Sequence, residues 1–395
     1  MAIGVRTGAM SAGARRMLAP KIFYFCFYAA GSALMPYLGL YYQSLGLTGR
    51  YIGLLTGIPP LVTLFAAPLW GSVADATQRH RQMLLTAIGS TIVVVLALSV
   101  AAQLLWLLPL VMAYAFFAAP IVPLVDNTTL AMLGPRKDQY GRQRVWGAIG
   151  WGVSAAIMGV VIQRAGLHAA FYGYAVFLGL GFIAATRLPV ASAGIGNRFW
   201  SGLRVLLRNR VWIAFLLAVL ASSISAGMYN NFLFVYLNQL GAPATLMGLS
   251  LVMATFSELP VFFFSDKLLK RWAPRGVLIM ALAASAVRMF AYAAMPAAWW
   301  VLPIHLLLHG LSFSAMWAAG VANADALAPE GMGATAQGMF AGVTFGIGAS
   351  TGALLAGLLY DGIGPARMFA VGGVIVLAGL LLYVVAGRAP AARSG

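Results

Sequence analysis

Long apolar stretches, separated by short polar connections, run through almost the whole chain of 395 residues. Most stretches reach about 20 residues, the length of an α-helix that crosses a lipid bilayer. They lack the period-two alternation of transmembrane β-strands, so the pattern predicts helices and not a barrel. The predicted spans are approximately 20–42, 51–74, 82–102, 105–133, 145–165, 169–186, 211–239, 245–264, 276–295, 299–326, 334–360 and 367–387. We therefore expect an all-α membrane protein of twelve transmembrane helices.

The composition agrees with this pattern. Hydrophobic residues make up 62% of the chain and charged residues 8%, against about 25% charged residues in a typical soluble domain. In a soluble protein, the formal net charge of +17 would indicate binding to nucleic acid. Here the predicted environment is a lipid bilayer, and nucleic acid is not an expected partner. The sequence contains no nucleotide loop, catalytic triad or metal-ligand cluster, and its one cysteine is Cys26. We expect neither an enzyme nor a cofactor or metal site.

The distribution of lysine and arginine predicts the orientation of the spans. With a cytoplasmic N-terminus, 21 of the 25 basic residues fall in cytoplasmic segments, 3 fall outside, and Arg288 falls within a span. An odd number of spans would break this alternation. We expect both termini to be cytoplasmic, in a multi-pass protein of the bacterial inner membrane.

One long polar connection divides the chain into an N-terminal six-helix bundle (1–186), a cytoplasmic linker (187–210) and a C-terminal six-helix bundle (211–395). Within the linker, residues 199–210 alternate apolar and basic side chains at helical spacing. This segment is either a helix on the anionic inner leaflet or a solvated linker.

The two halves of the chain repeat one another. Residues 40–46 match 235–241 at an offset of 195 positions, and Asp126 in the fourth span has a counterpart in Asp325 of the tenth. Asp75, with basic residues after it, likewise corresponds to Asp266. Duplicated six-helix halves are typical of transporters that rock about a central site.

Three ionisable residues lie inside separate apolar spans: Glu258, Arg288 and His309. A charged side chain at the centre of a bilayer costs about 2.5–3.5 kcal/mol on insertion scales, so such residues are usually functional. Glu258 is either a proton carrier or half of a permanent ion pair with Arg288. The guanidinium of Arg288 either binds an anionic substrate group, pairs with Glu258, or braces two helices. His309 is either a proton relay or a satisfied hydrogen-bonding residue.

Sequence motifs resemble the major facilitator superfamily along nearly the whole chain. Gly71-Ser72-Val73-Ala74-Asp75 with Arg79-His80-Arg81 is similar to the superfamily's loop motif between the second and third helices, although Ala76 and Gln78 depart from it. A second set of segments resembles the phenylpropionate-permease-like branch of the superfamily, which is related to nucleoside and galactoside proton symporters. These include Pro36-Tyr37-Leu38, Tyr140-Gly141-Arg142, Ser257-Glu258-Leu259-Pro260 and Leu308-His309-Gly310.

The resemblance implies two six-helix bundles that move by alternating access, with proton coupling through Glu258, Arg288 and His309. It also implies a gating role for the loop motif. The expected gating residues are Asp75, Arg79, Arg81, Asp126, Arg142, Arg144, Asp266 and Asp325. Asp126 is expected to pair with Arg142 or Arg144, in a contact that inward opening would break. Alternatively, Asp126 and Asp325 are helix caps or topology determinants.

The remaining substrate-binding candidates are polar or aromatic residues within spans. The amides of Asn230 and Asn231 either bind substrate hydroxyls or bond a neighbouring helix. Tyr28, Trp151 and Trp317 either form an aromatic wall or pack between helices.

Together these features predict a monomeric secondary active transporter that carries a small organic solute inward with protons. An aromatic or other carboxylate is the expected solute class, because Arg288 lies among aromatic residues. The alternatives are a proton-coupled antiporter that exports drugs or a siderophore-like metabolite, and a membrane receptor that does not transport.

Overall fold

A computed structural model describes residues 17–189 and 206–386, and these residues form helices joined by short turns. Within these two described ranges, twelve helices are long and apolar enough to span a membrane. Numbered α1 to α12, they are Leu18–Ser44, Gly49–Thr77, His80–Val100, Leu104–Lys137, Tyr140–Ala165, His168–Ala185, Arg210–Gln239, Ala244–Phe263, Ser265–Ala293, Ala298–Leu327, Gly333–Ile363 and Pro365–Ala386. The predicted fold class of twelve transmembrane helices is confirmed. Most of the predicted linker, including residues 199–205, lies outside the described residues.

Several spans depart from regular α-helix at positions that the sequence explains. In α4, the helix Leu104–Ala118 stops and a new one begins at Ile121, directly after Pro120, because proline has no N–H to continue the hydrogen-bond ladder. A π-helical turn at His305–His309 interrupts α10. Such turns inside α-helices are frequent at functional sites, and this one contains both histidines of the tenth span.

The helix connections lie at two ends of the molecule. The terminal end comprises the start of α1, the end of α12 and the turns near residues 78, 138, 264 and 330. The far end comprises the turns near residues 46, 102, 166, 241, 296 and 364. In the described part of the chain, each half has six helices that connect these two ends.

The halves approach closely in the far part of the molecule. There α2 packs against α11, and α5 packs against α8. A Cβ atom on Gly53 would lie 2.6 Å from the carbonyl oxygen of Ala353, and one on Gly159 would lie 3.0 Å from that of Ala244. Glycine at these positions therefore lets the backbones of opposing helices touch.

Side chains complete the far-end closure by capping helices across the two halves. The Asp361 carboxylate at the end of α11 accepts hydrogen bonds from the backbone N–H groups of Gly49 (2.8 Å) and Arg50 (2.9 Å) at the start of α2. The Gln163 side-chain oxygen accepts one from the Ala244 N–H at the start of α8 (2.6 Å). Both caps satisfy N–H groups that the helix itself leaves free, and the carboxylate also suits the positive end of the helix dipole.

The closure is confined to one end. Among residues 17–189 and 206–386, the hydrogen bonds between the halves are these caps and the contact of Asn238 with Gln43 (3.5 Å), all at the far end. The contacts between α2 and α11 and between α5 and α8 join the halves toward the far end. We infer a space between the halves, called the central space, that is closed at the far end and open toward the terminal end.

Replacing Gly53 by alanine is expected to separate the halves at the far end. The new Cβ would clash with the backbone of α11, which can make room only if the whole helix shifts. Spin labels on cysteines at Thr48 and Arg367, in a Cys26→Ser background, report the separation by double electron–electron resonance. We expect a population at longer distance. Gly362→Ala is the matched control, since no atom lies within 4 Å of its added Cβ. Equal distance distributions in the two variants would contradict a closure held by glycine contacts.

Candidate functional site

The orientation of α5 decides where its charged side chain points. Its exposed apolar residues form one lipid-facing stripe: Trp146, Ile149, Val153, Ile157 and Val160. At about 100° per residue, Arg144 and Trp151 lie on the opposite side of this helix. Gly152 and Gly159, on the edge between the two faces, contact α8. Arg144 and Trp151 therefore face the space between the halves.

Helix α8 is arranged in the same way. Leu249, Phe256 and Phe263 form its exposed apolar stripe, and Glu258 lies nearly opposite to them at about 100° per residue. Because Gly152 of α5 lies against Thr255 of α8, Arg144 and Glu258 differ in depth by only about 7 Å along antiparallel helices with a rise of 1.5 Å per residue. The two halves thus present one basic and one acidic side chain to the same space.

In the C-terminal half, an imidazole joins the two intramembrane charges. His309 Nε2 lies 3.0 Å from Glu258 Oε1, and His309 Nδ1 lies 2.9 Å from Arg288 Nη1. Glu258, Arg288 and His309 come from α8, α9 and α10, and the structure brings all three together. Sequence analysis placed Glu258 and Arg288 as possible direct partners, whereas the structure inserts His309 between them. We call this row of three residues the relay.

The donors and acceptors of the relay fix the proton positions on His309. A guanidinium only donates hydrogen bonds, so Nδ1 of His309 accepts from Arg288 and carries no hydrogen. Nε2 of the neutral ring then carries the hydrogen and donates it to the Glu258 carboxylate. His309 is therefore neutral in this arrangement, and the negative and positive charges of the relay balance through it.

The relay is accessible at one end only. The Glu258 and His309 side chains are 20% and 13% exposed, whereas Arg288 is 2% exposed. The Arg288 guanidinium also lies over the ring of Tyr229, 4.0 Å from its centroid, in a cation–π contact. A solute in the central space can reach Glu258, but in this conformation it cannot reach Arg288.

A second polar cluster lies in the N-terminal half. Arg144 of α5 donates to Asp126 of α4 (2.8 Å), to Tyr140 (2.9 Å) and to Tyr28 of α1 (2.7 Å). Tyr24 donates to the other oxygen of Asp126 (2.7 Å). The Arg144 side chain is still 42% exposed. The expected partner of Asp126 is thus Arg144, and the pair is intact although the halves are apart at the terminal end, because both residues belong to one half.

The other residues expected to gate lie at the terminal end. Asp75 contacts His80 (3.0 Å), and Arg81 donates to the Thr186 carbonyl in the same half. Arg142, Asp266 and Asp325 are exposed, and Arg79 precedes the first residue of α3. Among the described residues, no hydrogen bond joins these side chains across the halves, as expected where the halves are separated. Their gating role stays a prediction.

One departure from the superfamily motif has a structural cost. Gln78, where the motif has glycine, ends α2 with φ of 56°, a left-handed conformation that glycine adopts without strain. Its side chain donates to the Asp75 carbonyl (2.6 Å), and this bond offsets part of the strain. The turn therefore keeps the shape that the motif implies without the usual residue.

The predicted substrate-binding residues are only partly brought together. Tyr28 and Trp151 lie with Arg144 on the inner face of the N-terminal half, where the Trp151 ring would be 3.3 Å from a Cβ on Gly31. Trp317 instead packs between Phe340 and Phe345, with ring centroids 5.2 Å away in each case. Two rings of α11 therefore pack against Trp317, and its role in an aromatic wall stays a prediction.

The two amides also differ from one another. Asn231 donates to the Gly227 carbonyl one turn earlier in its own helix (2.7 Å), while Asn230 is exposed. Tyr229, their neighbour, is the residue of this segment that touches the relay. Its position directly before the amides was visible in the sequence, but its contact with Arg288 depends on the packing of α7 against α9.

Comparisons with known proteins agree with this architecture. A sequence profile described as the MFS_1 like family matches residues 17–371. The chain belongs to this family. A maltose permease of Geobacillus stearothermophilus is 30% identical to this transporter over 354 residues, which cover 89% of each chain. A probable 3-phenylpropionic acid transporter of Escherichia coli (strain K12) is 25% identical over 292 residues, which cover 72% of this chain and 76% of that protein.

The fold also matches a solved structure. The crystal structure of the nucleoside transporter NupG superposes with a TM-score of 0.84 and 16% sequence identity, covering 94% of this chain and 99% of that one. The identity is low enough that this likeness shows the fold alone. The predicted superfamily is confirmed, and the protein is a multi-pass membrane transporter and not an enzyme.

Sequence analysis missed the two residues that cap helices at the far end, Asp361 and Gln163. Tyr24, Tyr140 and Tyr229 carry no charge, so a count of intramembrane charges could not find their contacts with Asp126, Arg144 and Arg288. A signal existed for Asp361 alone: it is an acidic residue at the far end of a span, where few charges occur.

The relay predicts an asymmetric effect of removing its charges. Glu258→Leu leaves the Arg288 cation buried without a counter-charge, and we expect a loss of about 3–5 kcal/mol in the free energy of unfolding. Arg288→Leu should cost less, because a carboxylate can take up a proton and a guanidinium cannot lose one. The double variant should lose less than the sum of both. Chemical unfolding in detergent micelles measures all three.

Asp126→Leu with Arg144→Leu is the matched control for this cycle. That pair is more exposed, at 22% and 42%, so water screens its charges and the variants should change stability much less. Equal losses for the two single relay variants, with full additivity, would contradict charge balance through His309.

Proposed function

We propose that this transporter is a proton-coupled symporter that carries a small organic solute into the cell by alternating access. The observation that carries the proposal is the relay, in which a carboxylate accessible from the central space is balanced by a buried guanidinium through a neutral imidazole. The family supplies the transport activity, and the relay supplies a group that can bind and release a proton.

Glu258 is the proton carrier in this scheme. A proton added to its free oxygen removes one negative charge and leaves the hydrogen bond from His309 Nε2 in place. A proton added to His309 Nδ1 would instead break the bond from Arg288 and place two cations side by side. The carboxylate therefore accepts the proton at lower cost, and His309 and Arg288 hold it in position.

The solute that we propose is an aromatic or other carboxylate. Arg144 is the guanidinium available to it, since it is half-exposed, faces the central space and is flanked by Tyr28 and Trp151. A solute carboxylate can replace Asp126 as a partner of Arg144. The relative named a probable 3-phenylpropionic acid transporter supports this class of solute.

A neutral sugar is the second candidate. The relative with 30% identity over 89% of the chain is named a maltose permease. Sugar hydroxyls would bond Asp126, Arg144 and the tyrosines without replacing the ion pair. The two candidates differ in whether the solute needs the charge of Arg144 or only its hydrogen bonds.

Alternating access follows from the two interfaces. We assign the terminal end to the cytoplasm from the distribution of basic residues and propose a monomer in the bacterial inner membrane. On this assignment, the opening at the terminal end corresponds to an inward-open state. The α2–α11 and α5–α8 contacts close the external side. Outward opening requires those contacts to separate and the gating residues of the terminal end to meet.

Uptake into proteoliposomes tests the proton coupling, with labelled 3-phenylpropionate and maltose as probes. An imposed pH gradient, acidic outside, should drive accumulation of at least one probe. Glu258→Gln should abolish accumulation and retain exchange of internal for external probe, because the amide binds solute but carries no proton. Accumulation at the normal level in this variant would falsify the proton assignment.

The charge of Arg144 distinguishes the two solute classes. Arg144→Gln should remove uptake of 3-phenylpropionate but spare part of the uptake of maltose, since glutamine retains donors and loses the charge. Arg164→Gln is the control, because Arg164 is an exposed arginine near the far end of the same helix and is not among the expected gating residues. If Arg144→Gln affects neither probe, the solute does not bind at this cluster.

A further inference from the structure

The π-helical turn of α10 contacts α8 at both of its ends. At its start, the ring nitrogen Nδ1 of His305 lies 2.7 Å from the Ser250 carbonyl oxygen; a carbonyl only accepts, so Nδ1 carries the hydrogen and donates it. Directly after its end, the backbone N–H of Gly310 donates to the hydroxyl oxygen of Ser257 (2.8 Å). The two contacts therefore lie on either side of the segment that contains His309.

The contact at Ser257 brings two helix backbones together. A Cβ on Gly310 would clash with the Ser257 carbonyl oxygen, so glycine at this position lets the hydroxyl reach the N–H. In a regular α-helix this N–H would donate to the carbonyl of Leu306, four residues earlier. Here a side chain of a neighbouring helix accepts from it, and a backbone group inside a membrane needs such a partner.

The spacing of these contacts explains why α10 contains a π-helical turn. Ser250 and Ser257 are seven residues apart, so at about 100° per residue they lie on one face of α8. Their partners His305 and Gly310 are five residues apart, and in a regular α-helix they would point about 140° away from each other. Hydrogen bonds of a π-helical turn join residues i and i+5, which brings such residues to one side of the helix. The two contacts with α8 therefore require the π-helical turn.

The same turn sets the position of His309, its last residue. Without the extra residue of the turn, the rotation between its two ends would change by about 100°. His309 would then leave the line between Glu258 and Arg288, where its ring nitrogens now lie 3.0 Å and 2.9 Å from their partners. The register of α10 thus decides whether the relay forms.

We propose that Ser257 is a positioning residue of the relay. Its hydroxyl accepts from the Gly310 N–H and so holds the π-helical turn that keeps His309 between the two charges. The inference rests on the proposed symport and deepens it, since Ser257 acts through His309 and carries no proton itself. It also gives a physical reason for the serine that precedes Glu258 and for the glycine that follows His309.

Solid-state NMR in lipid bilayers tests the positioning without solute or a pH gradient. The chain contains four histidines, and its glutamates are Glu258 and Glu330, so ¹⁵N-labelled imidazoles and ¹³C-labelled carboxyl groups give few signals. A dipolar coupling should join His309 Nε2 and the Glu258 carboxyl carbon in the native protein. Ser257→Ala removes the acceptor of the Gly310 N–H, and the coupling should be lost. An unchanged coupling in this variant would overturn the positioning role.

Ser250→Ala is the matched control. Its hydroxyl bonds the Met247 carbonyl of its own helix (2.7 Å), and alanine keeps the backbone carbonyl that accepts from His305. The coupling should persist in Ser250→Ala and in Ser257→Thr, which keeps a hydroxyl. Ser257→Cys keeps the size of the side chain but offers only a weak acceptor, so it should reproduce the loss if Ser257→Ala does not fold. An equal loss in Ser250→Ala would overturn a specific role of Ser257.

Transport in proteoliposomes supplies the second readout, with whichever labelled probe, 3-phenylpropionate or maltose, the native protein accumulates. Accumulation driven by a pH gradient should slow about tenfold in Ser257→Ala, since a misplacement of about 1 Å can cost up to about 100-fold. Exchange of internal for external probe should keep its native rate, because it needs no net proton movement. Ser257→Thr should restore accumulation. Equal slowing of accumulation and exchange would indicate a merely structural role and overturn the proposal.

The outcomes separate this inference from the proposed function. If Glu258→Gln still accumulates probe, symport through Glu258 fails, while the NMR coupling still decides whether Ser257 positions His309. If Glu258→Gln fails to accumulate and Ser257→Ala loses the coupling but accumulates normally, symport stands and the role of Ser257 in coupling is overturned.

Discussion

The cost of holding opposite charges in a low-dielectric interior governs this transporter. Neither Glu258 nor Arg288 is buried without a counter-charge. The neutral ring of His309 connects the two charges, which do not contact each other directly. A direct bidentate pair would be a permanent structural bond. An imidazole between the charges keeps them balanced and leaves one carboxylate oxygen free to gain a proton. In the proposed mechanism, the same arrangement that makes the charges tolerable in the membrane also allows the charge of Glu258 to change.

The surroundings of the relay follow from that constraint. Arg288 is buried because the Tyr229 ring covers one face of its guanidinium and His309 accepts a hydrogen bond from it. Arg288 therefore acts as a fixed positive charge. Glu258 faces the central space because its helix turns an apolar stripe to lipid on the opposite side. In the N-terminal half, tyrosine hydroxyls bond Arg144 and Asp126, whose side chains are 42% and 22% exposed. The protein thus separates a buried, charge-balancing cluster from an accessible, polar one.

The two-fold repeat explains why the far end closes as it does. Equivalent helices, α2 and α8, have their N-termini capped by the ends of α11 and α5, and glycines bring the paired backbones into contact. The caps are not identical: one is the carboxylate of Asp361 and the other the neutral amide of Gln163. Duplication of the sequence reproduces the packing geometry, whereas the polar groups within that geometry differ between the copies. Among the described residues of α2, α3 and α4, which are the equivalents of α8, α9 and α10, no hydrogen-bonded row of three side chains matches the relay.

The sequence by itself determined that the protein lies in a membrane, that it has twelve spans and that its halves repeat. It also determined the mid-membrane depth of Glu258, Arg288 and His309. These properties depend on hydrophobicity, on segment length and on position along the chain. Only the tertiary structure decided that His309 stands between the two charges, that Arg288 is enclosed while Arg144 is accessible, and that Trp317 packs against α11. Those facts depend on how each helix rotates about its own axis and which neighbour it meets. Rotation is set by packing among helices distant in sequence, and a pattern read along one span contains no information about the partner on the next.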